Sequence, residues 1–181
     1  MNRKIASLVV VCLLLATGAL GGEEPSKPSS VKSTPAWEKL KALSGSWEGF
    51  ATFGDQKVPS KTSFRVVSDG SAIMNMLDEG GAHEMVTMIH PDRDDLLVTH
   101  YCGAHNQPRM KAVSTDGGNS VAFEFNSVAF EFKDGTNIGP NDGHMQKVVF
   151  TFDGPDRHTQ DWTFTDKGKQ STGHFEFRRS K

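Results

Sequence analysis

The segment from Thr99 to Met110 concentrates side chains that could do chemistry. It holds the only tyrosine of the sequence, Tyr101, together with Cys102, two histidines and an arginine. A thiol beside imidazoles can act as a nucleophile, because a neighbouring base or cation lowers its pKa. The same residues could instead line a binding pocket, or form a polar corner of an ordinary barrel.

Two catalytic arrangements follow from these residue types. The first pairs Cys102 with His100 or His105, and the second pairs a histidine with a glutamate. Against the first, cysteine is among the most buried residue types and often packs as a small apolar side chain. The sequence also lacks a Gly-x-Ser-x-Gly motif and a phosphate-binding glycine loop. We therefore expect a binding protein rather than an enzyme, and we assign no catalytic residue.

Polar side chains around the same segment could orient a small ligand. Arg109 could hold a carboxylate through two hydrogen bonds, or could form a structural ion pair with Glu84. The residues predicted to contact the ligand are Glu84, His100, Tyr101, Asn106, Gln107, Arg109, His144 and Trp162.

Trp162 belongs to a late segment whose alternate residues share one face. His158, Gln160, Trp162 and Phe164 lie on that face if the segment is a strand, and such a face suits a partly polar cavity. His158 is the first candidate for an iron ligand if haem binds, with His100 and His144 behind it. The alternative places His158 near solvent, at the start of the strand.

The histidines do not predict a metal site. None forms the closely spaced pairs that zinc sites favour, and Cys102 is the only cysteine besides Cys12. A soft-metal or redox site at His100, Cys102 and His105 is the alternative.

These side chains need a scaffold, and the remaining pattern predicts one built of strands. A short helix begins at Pro35 after the capping residue Thr34 and ends at Gly45. From Ser46 onward, alternating stretches separated by Gly, Asp and Pro turns predict about ten antiparallel strands. Closure of this meander removes its exposed edges. We therefore predict an all-β fold, a single up-and-down β-barrel over residues 35–181 with one short N-terminal helix.

The strands are expected near residues 47–53, 62–67, 72–77, 84–90, 96–101, 109–113, 121–132, 147–152, 158–165 and 173–178. About ten strands enclose more volume than their own side chains readily fill, which favours an internal cavity. The loop 134–144, rich in Gly, Asn, Pro and Asp, is a candidate lid over one barrel mouth, or else a mobile surface loop.

Residues 119–125 and 126–132 are identical heptads. Successive side chains of a strand point to opposite faces, so a repeat with an odd number of residues would turn the inward side chains of the first copy outward in the second. A bulge that takes up one residue would restore the same orientation. We expect Asn126 or Ser127 to be a bulge or a turn.

The first 22 residues have the order of a secretory signal: Arg3 and Lys4, an apolar run over 5–15, then small residues. That run is shorter than the about 20 residues of a membrane-spanning helix, the alternative being an uncleaved anchor. Residues 23–34, rich in Ser, Pro, Lys and Glu, are expected to be a disordered tether. The mature protein would then be periplasmic or extracellular.

The charge balance narrows the class of partner. The chain has 20 Lys and Arg against 22 Asp and Glu, so loss of Arg3 and Lys4 with the signal leaves a net charge of −4. Nucleic acid and anionic membranes are poor partners for that charge. The expected partner is a small apolar or amphipathic ligand, and the sequence leaves the oligomeric state open.

Residues 43–49 read Leu-Ser-Gly-Ser-Trp-Glu-Gly after the helix, and residues 175–178 read Phe-Glu-Phe-Arg near the end. This arrangement resembles the calycin superfamily, the lipocalin-like barrels, in which Gly-x-Trp opens the first strand and a basic residue of the last strand packs over the indole. The resemblance implies a structural contact of Trp47 with Arg178 or Arg179. We assign Arg178 to it, with Gly45 as a further structural residue.

The motifs Thr-His-Tyr-Cys at 99–102, Asn-Gln-Pro-Arg-Met at 106–110 and Gly-His-Met at 143–145 resemble those of secreted bacterial lipocalin-like proteins over most of residues 36–179. That resemblance implies no particular activity. Residues 45–49 also resemble the start of nitrobindin-like barrels, which implies haem bound by a late-strand histidine, here His158. Phe50, Ala51 and Thr52 stand where that family has further glycines.

The sequence therefore predicts a secreted lipocalin-like barrel that binds a small apolar or amphipathic molecule non-covalently, without a required cofactor. Two alternatives stay open. One is a haem-binding barrel that handles reactive nitrogen or peroxide, and the other is an enzyme that uses Cys102 or a His/Glu pair.

Overall fold

The computed structural model describes residues 33–113 and 127–181. The predicted signal over 1–22, all but the end of the tether over 23–34, and the first copy of the repeat lie outside the described residues. So do the first residues of the strand predicted over 121–132.

Helix α1 (Pro35–Ala42) begins where its capping residues predict. The Thr34 hydroxyl accepts a hydrogen bond from the Trp37 backbone N–H at 3.2 Å, and Pro35 stands in the first turn. Trp37 and Leu40 are buried, so one face of the helix packs on the barrel. No helix in these two stretches of chain is long and apolar enough to cross a membrane.

Ten antiparallel strands within the described residues form a closed barrel, which confirms the predicted all-β up-and-down fold. Each strand pairs with its neighbours in the chain, and β1 also pairs with β10. The strands are β1 (Gly45–Phe53), β2 (Gln56–Val67), β3 (Ala72–Leu77), β4 (Met85–Asp92), β5 (Asp95–Tyr101), β6 (Gln107–Val113), β7 (Ser127–Thr136), β8 (His144–Phe152), β9 (Arg157–Asp166) and β10 (Lys169–Arg179).

The two ends of the barrel differ in what covers them. At one end, which we term the helix end, α1 leads directly into β1. At the opposite end, the loop end, the connections are 54–55, 78–84, 102–106, 137–143 and 167–168.

Aromatic side chains fill the middle of the barrel. The rings of Phe64 on β2 and Phe150 on β8 come from opposite walls, and their centroids lie 6.2 Å apart. His100 on β5 and Trp162 on β9 likewise meet across the barrel at 4.6 Å. All four side chains are buried. The expected open lumen is therefore wrong for these layers, because aromatic rings are large enough to bridge a ten-stranded barrel.

At the helix end, the contact with the Trp47 indole is made by Arg179 and not by Arg178. The Arg179 guanidinium carbon lies 4.2 Å from the Trp47 ring centroid. Alternation explains the correction: Phe177 is buried and faces inward, so Arg179 shares its face, whereas Arg178 is exposed on the outer face. Gly45 has φ +126°, and a Cβ there would lie 3.0 Å from Arg179 Nη1, so this position suits glycine.

The second copy of the repeat opens β7 without a bulge at Ser127, which pairs regularly with Thr151. Asn126 lies outside the described residues. The register of this strand shifts later: Phe132 pairs with Met110 and Asp134 pairs with Arg109 of β6, so Lys133 has no paired residue on β6.

Candidate functional site

The loop end brings together residues that are far apart in the sequence but were predicted to contact one ligand. Tyr101 ends β5 and Gln107 begins β6, on either side of the turn 102–106. His144 begins β8, and Glu84 directly precedes β4. All four therefore lie at one end of the barrel.

Four buried polar residues at neighbouring positions form what we term the polar arc: Asn75, Thr87, His100 and Asn106. Asn75 pairs with Thr87 between β3 and β4, and Thr87 pairs with His100 between β4 and β5. Asn106 follows in the turn to β6, where its carbonyl accepts a hydrogen bond from the Cys102 N–H at 3.0 Å. The arc thus runs along one wall of the barrel below the loop end.

Hydrogen bonds within the protein satisfy the polar arc only in part. Thr87 Oγ1 and His100 Nδ1 share a hydrogen bond of 2.8 Å, and Asn106 Nδ2 donates to the Gly143 carbonyl at 2.8 Å. Asn75 Oδ1, His100 Nε2 and Asn106 Oδ1 are buried without a partner in the described part of the chain. Each such atom costs about 1–3 kcal/mol, so a group that bonded to them would stabilise the site.

His100 is uncharged at neutral pH. Burial lowers the pKa of its imidazole to about 4. In a neutral imidazole one ring nitrogen carries the proton and the other accepts. If Nδ1 donates to Thr87, Nε2 is an acceptor; if Nδ1 accepts from Thr87, Nε2 is a donor. The arc therefore carries no charge at this residue.

Trp162 is part of a buried hydrogen-bonded row on β9. Its Nε1–H donates to Gln160 Oε1 at 2.9 Å, and Gln160 Nε2 lies 3.2 Å from His158 Nε2. An indole can only donate, so the Gln160 amide turns its nitrogen towards His158, whose Nε2 accepts. All three side chains are buried, as expected for residues that share the inner face.

His158 is 1% exposed, so the alternative that places it near solvent is wrong. The rings of Trp47, Phe177 and Phe64 lie 4.4, 5.2 and 5.6 Å from its own ring. Burial, followed by the charge of Arg179, lowers the pKa of His158 to about 3. With Nε2 held by Gln160 and three rings packed around it, His158 does not fit an axial haem ligand, and we derive no step through haem.

The loop end differs from the filled middle, because apolar side chains at its inward positions stay accessible. Phe53 and Val58, near the facing ends of β1 and β2, are 49% and 43% exposed. Met85, Met145 and Phe164 are partly buried at the corresponding ends of β4, β8 and β9. We term these five residues the mouth. Accessible apolar surface inside a ring of strands is a contact surface for an apolar guest.

The loop between β7 and β8, predicted as a lid, is tied to the turn between β5 and β6. Asn106 Nδ2 bonds to the Gly143 carbonyl, as described above. Gln107 Oε1 accepts hydrogen bonds from Thr136 Oγ1 at 2.9 Å and from Asn137 Nδ2 at 3.3 Å. Three side-chain hydrogen bonds therefore hold this loop against the polar arc.

His144 lies beside the same loop. Its Nδ1 is 3.0 Å from the Asp142 carbonyl, and its ring lies 4.3 Å from the Phe132 ring. Its Nε2 is buried and lacks a partner among the described residues. The His144 ring is thus held in place, and its Nε2 is available to bond to a ligand.

Arg109, Glu84 and Tyr101 do not point into the barrel. Arg109 is exposed and forms an ion pair with Asp134, its partner on β7, and not with Glu84. The Glu84 carboxylate accepts a hydrogen bond from the Gly80 N–H at 2.7 Å. Tyr101 alternates with the buried His100 and is exposed on the outer face. These three residues surround the loop end from outside.

Cys102 is partly exposed in the turn after β5. His100 is not its base in this structure, because Nδ1 bonds to Thr87 and Nε2 has no partner among the described residues. Within residues 33–113 and 127–181, no group of three or more His, Cys, Asp or Glu side chains could hold a metal ion.

A pocket of about 850 Å³ lies on the outer face of the barrel. It extends over β1, β2, β9 and β10 and is lined by charged residues of both signs, among them Glu48, Lys61, Glu176 and Arg178. None of the eight residues predicted to contact the ligand lines it, and none of the mouth residues does. The outer pocket reaches the loop end at the connection 78–84, but it shares no residue with the mouth or the polar arc.

No family model matches the chain, and no curated protein is similar to it. Support for a function therefore comes from the residues and their geometry.

Several residues of this end were not among the predicted ligand contacts, including Asn75, Thr87, Phe53 and Val58. Asn75 and Thr87 carried a usable signal, since each is a polar residue at an inward position of an otherwise apolar alternation, as between Ile73 and Leu77. Phe53 and Val58 had none, because only the barrel geometry leaves inward apolar residues accessible at one end.

Proposed function

We propose that this protein is a lipocalin-like barrel that binds a small amphipathic molecule non-covalently at its loop end. The observation that carries the proposal is the presence of two kinds of surface at this end of the barrel. Apolar side chains, led by Phe53 and Val58, are accessible there, and buried polar atoms of Asn75, His100 and Asn106 have no partner among the described residues.

Such a guest complements both surfaces. Its apolar part would contact the mouth, where Met85 and Met145 can adapt to different shapes because the Met side chain is unbranched and flexible. Its polar part would bond to the arc and remove the cost of the unpartnered atoms. Because Phe64 and Phe150 bridge the middle of the barrel, the guest would be held at the loop end and not deep in the lumen.

The loop between β7 and β8 would open to admit the guest. Its ties to Asn106 and Gln107 are hydrogen bonds of partly exposed groups, each worth about 1 kcal/mol, so opening is inexpensive. Closing would then bring His144 towards the bound molecule.

The proposed localisation and the absence of an assigned catalytic role rest on other features of the chain. The signal-like first 22 residues favour export to the periplasm or beyond. We assign no catalytic residue, and His100, one of the two bases considered for Cys102, bonds to Thr87 instead. Carriage or sensing of the guest is the role that fits.

The test uses N-phenyl-1-naphthylamine, an uncharged amphipathic dye whose fluorescence rises in apolar surroundings. We expect saturable binding to the full chain, weakened at least about tenfold by Phe53→Asp, since the new charge stands in the mouth. Phe50→Asp is the matched control: Phe50 is on the same strand and 48% exposed, but on the outer face. Both variants are checked for folding by circular dichroism. Equal weakening by both, or no saturable binding, would contradict the proposal.

A further inference from the structure

We infer that the polar end of the guest is an uncharged hydrogen-bond donor, a hydroxyl or an amine N–H, and not a carboxylate or a phosphate. This inference rests on the proposed function and specifies the ligand class of the same site. It follows from the orientation of two amides and from the absence of buried charged side chains in the described part of the chain.

Asn75 presents an acceptor. Its Nδ2 donates to Thr62 Oγ1 at 2.7 Å and to the Ser63 carbonyl at 3.0 Å. A carbonyl can only accept, so the contact with Ser63 fixes which end of the amide is nitrogen. The unpartnered atom is therefore Oδ1, an acceptor that needs a donor.

Asn106 presents an acceptor by the same logic. Its Nδ2 lies 2.8 Å from the Gly143 carbonyl, which fixes the amide, and its Oδ1 is buried without a partner in the described residues. Two unpartnered acceptors thus belong to one polar arc. His100 Nε2, between them along the arc, can adapt to either kind of partner.

Charge also favours a neutral guest. Among the described residues, the buried polar side chains are Ser, Thr, Asn, Gln and His, and no Asp, Glu, Lys or Arg is buried. Arg109, which was predicted to contact the ligand, is on the outer face and paired with Asp134. An ionised head group at the arc would lose its hydration without gaining a counter-charge, and an anion would also face two amide oxygens.

The experiment compares three naphthalenes that share an apolar body and differ in the head group. Each is titrated against the full chain at pH 7 by displacement of N-phenyl-1-naphthylamine: 2-naphthol as neutral donor, 2-methoxynaphthalene as acceptor only, and 2-naphthoate as anion. We expect 2-naphthol to bind about tenfold tighter than 2-methoxynaphthalene, the factor for one hydrogen bond, and 2-naphthoate to bind weakest.

Variants locate the preference. Asn75→Leu and Asn106→Leu keep the side-chain size and remove the acceptor. Because the single naphthol O–H donates to one acceptor at a time, at least one of them should reduce the ratio of the 2-methoxynaphthalene to the 2-naphthol dissociation constant towards one, and the double variant should do so as well. Thr136→Val is the control, because it removes one hydrogen bond beside the same loop but leaves both acceptors, and it should keep the wild-type ratio.

The outcomes separate the two proposals. If the dye and the naphthalenes bind but 2-methoxynaphthalene or 2-naphthoate matches 2-naphthol, the donor inference is overturned while the binding function stands. If nothing binds at the mouth, the proposed function fails and the inference fails with it. If an Asn variant does not fold, the wild-type ratio and the other variant decide.

Discussion

The guanidinium of Arg179 covers the indole of Trp47 at 4.2 Å, and the same side chain donates to the carbonyls of Ser44 and Ala42 at 2.8 and 3.0 Å. Trp47 Nε1 in turn donates to the Leu43 carbonyl at 2.7 Å. The last strand, the first strand and the end of α1 are thus joined at one point. This contact covers the Trp47 indole at the helix end.

Replacement of Arg179 should destabilise the barrel. Arg179→Ala removes a cation–π contact and charged hydrogen bonds to backbone carbonyls, and we expect the free energy of unfolding to fall by about 2 kcal/mol. Urea denaturation measures the change. Arg178→Ala is the matched control and should stay within about 0.5 kcal/mol, because Arg178 is exposed on the outer face. A larger loss for Arg178→Ala would contradict the assignment.

The buried row on β9 should behave as a coupled unit. Gln160→Leu leaves the Trp162 Nε1–H without an acceptor, which costs about 1–3 kcal/mol. Combining it with Trp162→Phe removes that unpartnered donor, so the double variant should lose less stability than the sum of the two single losses. A double-mutant cycle in urea measures the coupling, and strictly additive losses would show that the row does not act as one network.

The free energy of unfolding should fall as the pH is lowered, because two histidines are buried. Burial lowers the pKa of His100 to about 4, and burial with the charge of Arg179 lowers that of His158 to about 3, against 6.5 when exposed. The unfolded chain therefore binds more protons below pH 6.5. The free energy of unfolding is therefore unaffected by these histidines above pH 6.5 and falls as the pH is lowered towards 4. The two histidines together lower it by up to about 2.7 kcal/mol per pH unit.

Urea denaturation at pH 7.5, 6 and 5 tests this dependence. His100→Gln removes one of the two titrating groups, so the proton uptake on unfolding near pH 5 should fall by about one. A wild-type free energy of unfolding that stays constant from pH 7.5 to 5 would show that the histidines are not held neutral by the fold.

The loop between β7 and β8 should respond to loss of its ties. Gln107→Leu removes the acceptor for Thr136 and Asn137, so backbone amides over 137–143 should exchange their hydrogens faster and N-phenyl-1-naphthylamine should associate faster. Amides of the β9–β10 turn at the same end of the barrel serve as an internal control and should keep their rates. Unchanged exchange over 137–143 would mean that these hydrogen bonds do not hold the loop.

The strands and the helix could be predicted because their signals are local. Turn residues and period-two alternation mark the strands, and Thr34 with Pro35 marks the start of α1. The choice between Arg178 and Arg179 depends on which face of β10 turns inward, and alternation could have settled it once Phe177 was placed in the core.

The candidate site was only partly predictable, because its properties arise between strands. Tyr101, Asn106, Gln107 and His144 lie at one end of the barrel, yet the outward direction of Arg109 depends on its pairing with Asp134 of β7. The filled middle depends on contacts such as Phe64 with Phe150, which join opposite walls. The unpartnered oxygen of Asn75 is visible only after every hydrogen bond is assigned.

A titration of the ¹⁵N-labelled chain with 2-naphthol, followed by amide chemical shifts, tests most directly where the guest binds. The account predicts saturable shifts at Phe53, Val58, Asn75, His100 and Asn106, with the outer pocket around Glu48 and Arg178 unchanged. Shifts confined to the outer pocket, or no saturable shifts at all, would contradict binding at the loop end.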